Sequence, residues 1–135
     1  MKAILTTQAP SAIGPYSQAI ATDKYLFLSG QIPIVPETGQ IIAGGIKEQT
    51  QQVILNIKAL LTAAGCCMND VVKTLCFLSS MDNFALFNEV YAQHFSNKPA
   101  RSCIAISALP RDALVEIEVI AEIPQKQITL HELTE

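Results

Sequence analysis

The chain has 135 residues, half of them hydrophobic and only 16% charged, with a net charge of −3. That length suits one domain. The negative balance and the lack of any basic stripe argue against binding nucleic acid through its phosphates, and no apolar run approaches the ~20 residues a bilayer requires.

A short strand is possible at 3–6. Residues 8–16 hold two prolines and a glycine, which predicts an ordered loop. Segments 17–22 and 24–29 flank Asp23-Lys24 and read as a hairpin. Residues 33–45, with two prolines and three glycines, are expected to be a loop. Val53, Ile57, Leu60 and Ala64 recur at helical spacing, predicting a helix over 46–64 whose polar side carries Lys47, Glu48, Gln51, Gln52 and Lys58. Gly65 is placed to be its left-handed cap. A strand follows at 71–78. Asp82 is expected to cap a second helix, 83–95, with Phe84, Phe87, Tyr91 and Phe95 along one face. Two more strands, 101–107 and 114–123, are separated by Leu109-Pro110-Arg111-Asp112.

The order is β-β-α-β-α-β-β, an α+β domain in two layers with both helices on one side of the sheet. Strand 71–78 is apolar on both faces, and strand 114–123 places Leu114 and Ile120 among Glu116, Glu118 and Glu122. Strands of this kind belong to sheets covered on both sides. Two helices cover one side, so a second copy of the chain is expected on the other.

Cys66, Cys67, Cys76 and Cys103 form no C-x-x-C, and His94 and His131 lie far from any cysteine pair. Reduced thiols, no disulfide framework and no zinc site are expected. Only Ala3, Ile4 and Leu5 follow Met1-Lys2 before polar residues begin, too little for a signal-peptide core, so a cytoplasmic location is expected.

Arg101 opens a strand with few other charges. It is either a solvated strand end or a fork for a carboxylate or phosphate. Cys103 shares its side of the strand and reads as a packed or pocket-lining thiol, since no base is in view to activate it. Glu116 and Glu118 fall on the sheet face away from the helices. They are either edge carboxylates or, where half-buried, a base near neutrality. Asn88 places an amide on the apolar face of the second helix, capping backbone or supporting a pocket. Tyr16 ends the Pro/Gly loop, and Ser29-Gly30 ends a strand where backbone can approach a ligand closely.

Taken together, Gly14-Pro15-Tyr16-Ser17-Gln18-Ala19, Leu28-Ser29-Gly30-Gln31, Phe87-Asn88-Glu89-Val90-Tyr91, Pro99-Ala100-Arg101-Ser102-Cys103 and Leu109-Pro110 through Val115-Glu116-Ile117-Glu118 resemble the RidA (YjgF) family. The resemblance spans about residues 3–122. It implies a chorismate-mutase-like fold over a single domain, 1–124, with 125–135 as a C-terminal extension. It also implies a homotrimer with sites between subunits. The implied activity is that of a 2-iminobutanoate/2-iminopropanoate deaminase, which hydrolyses reactive imines and enamines to a keto acid and ammonia without a cofactor or metal and so limits metabolite damage. By the same resemblance Arg101 grips the substrate carboxylate, Glu116 serves the hydrolytic water, and Tyr16, Ser29, Gly30, Asn88 and Cys103 line the pocket. Two other functions remain open: a trimer that binds keto or amino acids to regulate a partner, and a ribonuclease or translation inhibitor, against which the net charge speaks. If strands 101–107 and 114–123 pair as a hairpin, Glu118 stands opposite Arg101 as its ion-pair partner and Glu116 lies nearer Cys103, unpaired.

Overall fold

A computed structural model describes residues 1–125. The strands are β1 (Lys2–Ile4), β2 (Ala19–Ala21), β3 (Tyr25–Gln31), β4 (Ile34–Val35), β5 (Gln40–Ile41), β6 (Val71–Leu78), β7 (Ala100–Ala105) and β8 (Val115–Glu122). The helices are α1 (Ile46–Ala63) and α2 (Phe84–His94). Six strands form one mixed sheet in the order β1-β2-β3-β8-β6-β7, with only β6 and β7 parallel. Both helices pack on one side of it, the α+β arrangement expected. Segment 33–45 is less irregular than its glycines and prolines imply, since β4 and β5 pair there as a small hairpin.

Helix α1 starts where the Glu48 carboxylate accepts the Gly45 N–H at 3.3 Å, which satisfies one orphan donor of the first turn. It ends in a Schellman motif: Gly65 takes φ +78, its N–H reaches Thr62 O, and Cys66 N–H reaches Leu61 O. Val53, Ile54, Ile57 and Leu60 lose all solvent contact. Burial of each such side chain is worth roughly 1.5–3 kcal/mol, so Ile57→Ala alone would cost about 2–5 kcal/mol. Gln52 departs from the polar side assigned to it. It is buried and donates to Asn56, whose own amide holds Ile32 O and Ile34 O. Asp82 does not cap α2. A 3-10 turn at Met81–Asn83 comes first, and Ser80 Oγ accepts the Asp82 N–H instead.

The sheet connectivity overturns the hairpin expected of the last two strands. β8 lies between β3 and β6, while β7 runs parallel to β6 at the sheet edge. β6 thus has a parallel neighbour, β7, on one side and an antiparallel one, β8, on the other, which brings residues distant in sequence together. Glu118 therefore stands beside Leu75, not Arg101, and Cys103 stands beside Cys76. On the helix side, Thr74, Cys76, Leu78, Val115, Ile117, Val119 and Ala121 are buried. A register shift near Val71 turns that residue into the core as well. The other side carries Phe27, Leu75, Phe77, Ile104 and Ile120 among Glu116, Glu118, Glu122 and Lys73. Phe27 is 43% exposed and Ile104 46%, large apolar areas left open by a single chain.

Candidate functional site

Arg101 sits on edge strand β7 in register with Thr74, so it shares the helix side of the sheet. Its Nη1 donates to Asn88 Oδ1 at 2.7 Å. The guanidinium carbon lies 4.8 Å from the centroid of the Tyr91 ring and 5.7 Å from that of Phe84. These three groups sit on α2 at Phe84, Asn88 and Tyr91, spaced four and three apart, so one helix face supplies them all. No carboxylate of the described residues pairs with Arg101; the ion pair found among them joins Lys47 to Glu89. The charge is thus held in place without being neutralised, and its remaining N–H groups can take an anion in two parallel hydrogen bonds. A cavity of about 300 Å³ opens beside it, lined by Asn88, Tyr91, Phe95, Lys98, Pro99 and Arg101. Cys103 shares this side of β7 and is half-buried. Burial pushes its thiol above the ordinary range, against the pull of Arg101, which disfavours the thiolate a nucleophile needs.

Glu116 belongs to a different place. It stands beside Phe77, one step out of phase with Thr74 on β6, and so projects from the opposite sheet face to Arg101. Burial raises its pKa, and the neighbouring charge of Glu118 raises it further. Its carboxylate packs directly on Gly30. A Cβ at that position would lie 2.6 Å from Glu116 Oε2 and 2.8 Å from Cδ. The approach comes from a β-bulge. Leu28 pairs with Val119 and Gln31 with Ile117, so Ser29 and Gly30 together oppose Glu118. Ser29 Oγ donates to Ser17 O at 2.6 Å, which ties the bulge to the loop ahead of β2. Tyr16 lies in that loop, 55% exposed, with its hydroxyl accepting the Ile13 N–H. A second cavity, about 280 Å³, is lined by Tyr16, Gly30, Gln31, Ile32, Pro110 and Arg111.

The seven residues singled out from the sequence therefore divide into two candidate half-sites. Arg101, Asn88 and Cys103 form one, and Glu116, Gly30, Ser29 and Tyr16 form the other. Four contributors were missed. Phe84 and Tyr91 had been read only as a core stripe, yet both also face the guanidinium. Gln18 is buried and donates to Thr6 O and Pro10 O, pinning the Tyr16 loop; a glutamine inside a predicted strand gave no sign of that. Arg111 takes φ +56 and donates to Gly39 O and Gln40 Oε1, at the rim of the second cavity.

A family model described as Endoribonuclease L-PSP matches residues 6–123. A RutC family protein of Pyrococcus horikoshii is 56% identical over 119 residues, 87% of this chain and 94% of its own length. The 2-iminobutanoate/2-iminopropanoate deaminase of Mus musculus is 46% identical over 121 residues, 89% of this chain and 90% of its own. The crystal structure of E. coli TdcF with bound serine has a TM-score of 0.88 at 41% identity, covering 92% of this chain and 100% of that one.

Proposed function

The chain belongs to the Endoribonuclease L-PSP family, the RidA/YjgF group, and from that premise we propose that it hydrolyses 2-imino acids and their enamine tautomers to keto acids and ammonia. The observation that carries the proposal is the Arg101 charge, held by an amide and two aromatic rings with no carboxylate of the described residues to neutralise it. A 2-imino acid has one fixed anion and one electrophilic carbon. Arg101 takes the carboxylate through its planar fork and presents the C=N carbon to a water held by Glu116. Half-burial and Glu118 raise the pKa of Glu116 toward the range useful to a base. Water adds to the carbon as Glu116 takes one of its protons and hands it to the imine nitrogen, forming a neutral carbinolamine. The hydroxyl proton then passes through Glu116 to the same nitrogen as the C–N bond breaks, so the keto group forms and ammonia leaves with no net proton gained or lost. The step needs no metal or organic cofactor.

Arg101 and Glu116 project from opposite faces of one sheet, so one chain cannot aim both at one molecule. We propose that Arg101 of one subunit works with Glu116 of a neighbour in a homotrimer. The open apolar area around Phe27, Leu75, Phe77, Ile104 and Ile120 supports association through this face. Light scattering on the purified chain tests it: a stable monomer at micromolar concentration rejects the shared site.

The family's description names a ribonuclease. The face bearing Glu116, Glu118 and Glu122, on a chain of net charge −3, disfavours a polyanion. The serine in the E. coli relative supports a second reading, a trimer that binds such ligands without turnover. One experiment separates the two. A threonine dehydratase generates the imine, and keto-acid release is followed with and without this protein. Release faster than the uncatalysed rate, lost in Arg101→Ala, supports the deaminase. Release at the uncatalysed rate throughout rejects it.

A further inference from the structure

We propose that Tyr91 is a positioning residue for Arg101, fixing the guanidinium where it meets the substrate carboxylate. The inference rests on the function proposed above and adds a residue to it.

The contacts around Tyr91 form a closed circuit. Thr74 on β6 lies beside Arg101 on β7. The Thr74 side chain is fully buried, and its hydroxyl is 2.8 Å from the Tyr91 hydroxyl. The Tyr91 ring in turn lies 4.8 Å from the Arg101 guanidinium carbon. The circuit therefore starts and ends on neighbouring strand positions, with α2 bridging them. The ring has little freedom to swing. It stacks on Phe95 at 4.3 Å and 24°, and it touches Phe87 at 5.5 Å. Its far end is tied by a hydrogen bond inside the core, where neither hydroxyl has water as an alternative partner.

The choice of an aromatic support follows from what Arg101 has to do. A carboxylate would hold the guanidinium more firmly, but it would occupy the fork and cancel the charge. A ring face attracts the cation through its quadrupole and uses none of its N–H groups. Asn88 takes one N–H as a neutral acceptor. Position is thus fixed on two sides while charge and most donors stay available. The tyrosine hydroxyl contributes by locking the ring, at a distance from the ligand, through Thr74.

The test uses the full chain and 2-oxobutanoate, a keto-acid product of the proposed reaction, titrated by calorimetry alongside imine hydrolysis and thermal melting. Tyr91→Phe keeps the ring and loses the tie. It should melt earlier yet bind within about threefold of wild type, because the cation–ring attraction survives. Tyr91→Leu removes the ring and should weaken binding roughly tenfold, raising KM with little change in kcat, since the contact is remote from the reacting carbon. A purely structural tyrosine would instead make affinity follow melting temperature, with Phe and Leu alike; that pattern, or wild-type binding by Tyr91→Leu, overturns the inference. If Tyr91→Leu does not fold, Tyr91→Met, which fills more of the ring's volume, decides: affinity falling roughly tenfold supports the inference, and wild-type affinity overturns it. Arg101→Ala distinguishes the two levels. If it binds 2-oxobutanoate like wild type, the assignment of Arg101 fails and this inference with it. If it binds weakly while Tyr91→Leu binds normally, only the role of Tyr91 is lost.

Discussion

Replacing Gly30 by alanine perturbs the Glu116 half-site at one methyl group. The added Cβ would lie 2.6 Å from Glu116 Oε2, 2.8 Å from Cδ and 3.1 Å from Cγ. Unstrained non-bonded atoms sit at about 3.5–4.0 Å, so the carboxylate has to retreat by roughly 1 Å. Gly30 does not have a left-handed φ, so the backbone itself tolerates alanine. The glutamate is only half-buried and can turn to a poorer rotamer for about 0.5–1.5 kcal/mol. A domain of this size should then melt only roughly 2–6 °C lower. Catalysis should suffer far more, because a base displaced by about 1 Å can lose on the order of 10²-fold in rate. The expected signature is a large fall in kcat for 2-iminopropanoate hydrolysis with KM nearly unchanged, since Arg101 belongs to the other half-site. Keto-acid release from a dehydratase-coupled assay measures kcat, and calorimetry measures the melt. A Gly30→Ala protein that keeps kcat within about twofold, against the ~10²-fold expected, would refute the placement of the working carboxylate against Gly30.

Glu118 raises the Glu116 pKa by its charge, so Glu118→Gln should move the acidic limb of the pH–rate profile to lower pH; an unmoved limb would mean the two carboxylates do not interact. A carboxylate with a raised folded pKa makes the fold less stable as pH rises through that pKa. Glu116→Gln should therefore melt higher than wild type at neutral pH, with the difference vanishing in acid, while losing activity. Asn88→Asp should put a carboxylate on the 2.7 Å contact to Arg101, neutralise the fork and weaken 2-oxobutanoate binding by roughly tenfold or more; unchanged affinity would place the ligand elsewhere. His94 accepts from Lys58 Nζ on Nδ1 and lies 3.0 Å from Gln51 Oε1 on Nε2, and burial followed by the Lys58 charge lowers its pKa below the ordinary 6.5. The stability this confers is present above the ordinary value and lost as pH falls through the lowered one, so melting temperature should drop in mild acid, and His94→Gln should flatten that drop.

The sequence by itself determined the main elements and most of their faces. Helix α1 was legible from its 3.6-residue stripe and from Gly65, and β6 and β8 from their alternation, because side-chain period is a local property. The unpartnered sheet face was legible for the same reason: Phe77 and Ile120 are apolar where no helix can reach. Arg101 and Glu116 stood out as charges in the wrong company, and the motifs around them named the family. The C-terminal extension lies, from residue 126 on, outside the described residues. Strand order was not legible. Nothing in segments 101–107 and 114–123 says that one goes to the edge beside β6 while the other enters the middle of the sheet, since a short turn between two strands normally makes a hairpin. That single choice sends Arg101 to the helix side, while Glu116 keeps the open face its alternation had given it, and it separates Glu118 from Arg101. The bulge at Ser29-Gly30, which brings backbone onto the Glu116 carboxylate, and the aromatic support beneath Arg101 are equally non-local. Each depends on residues some tens of positions apart, and only the packing of the whole sheet against α2 decides which of them meet.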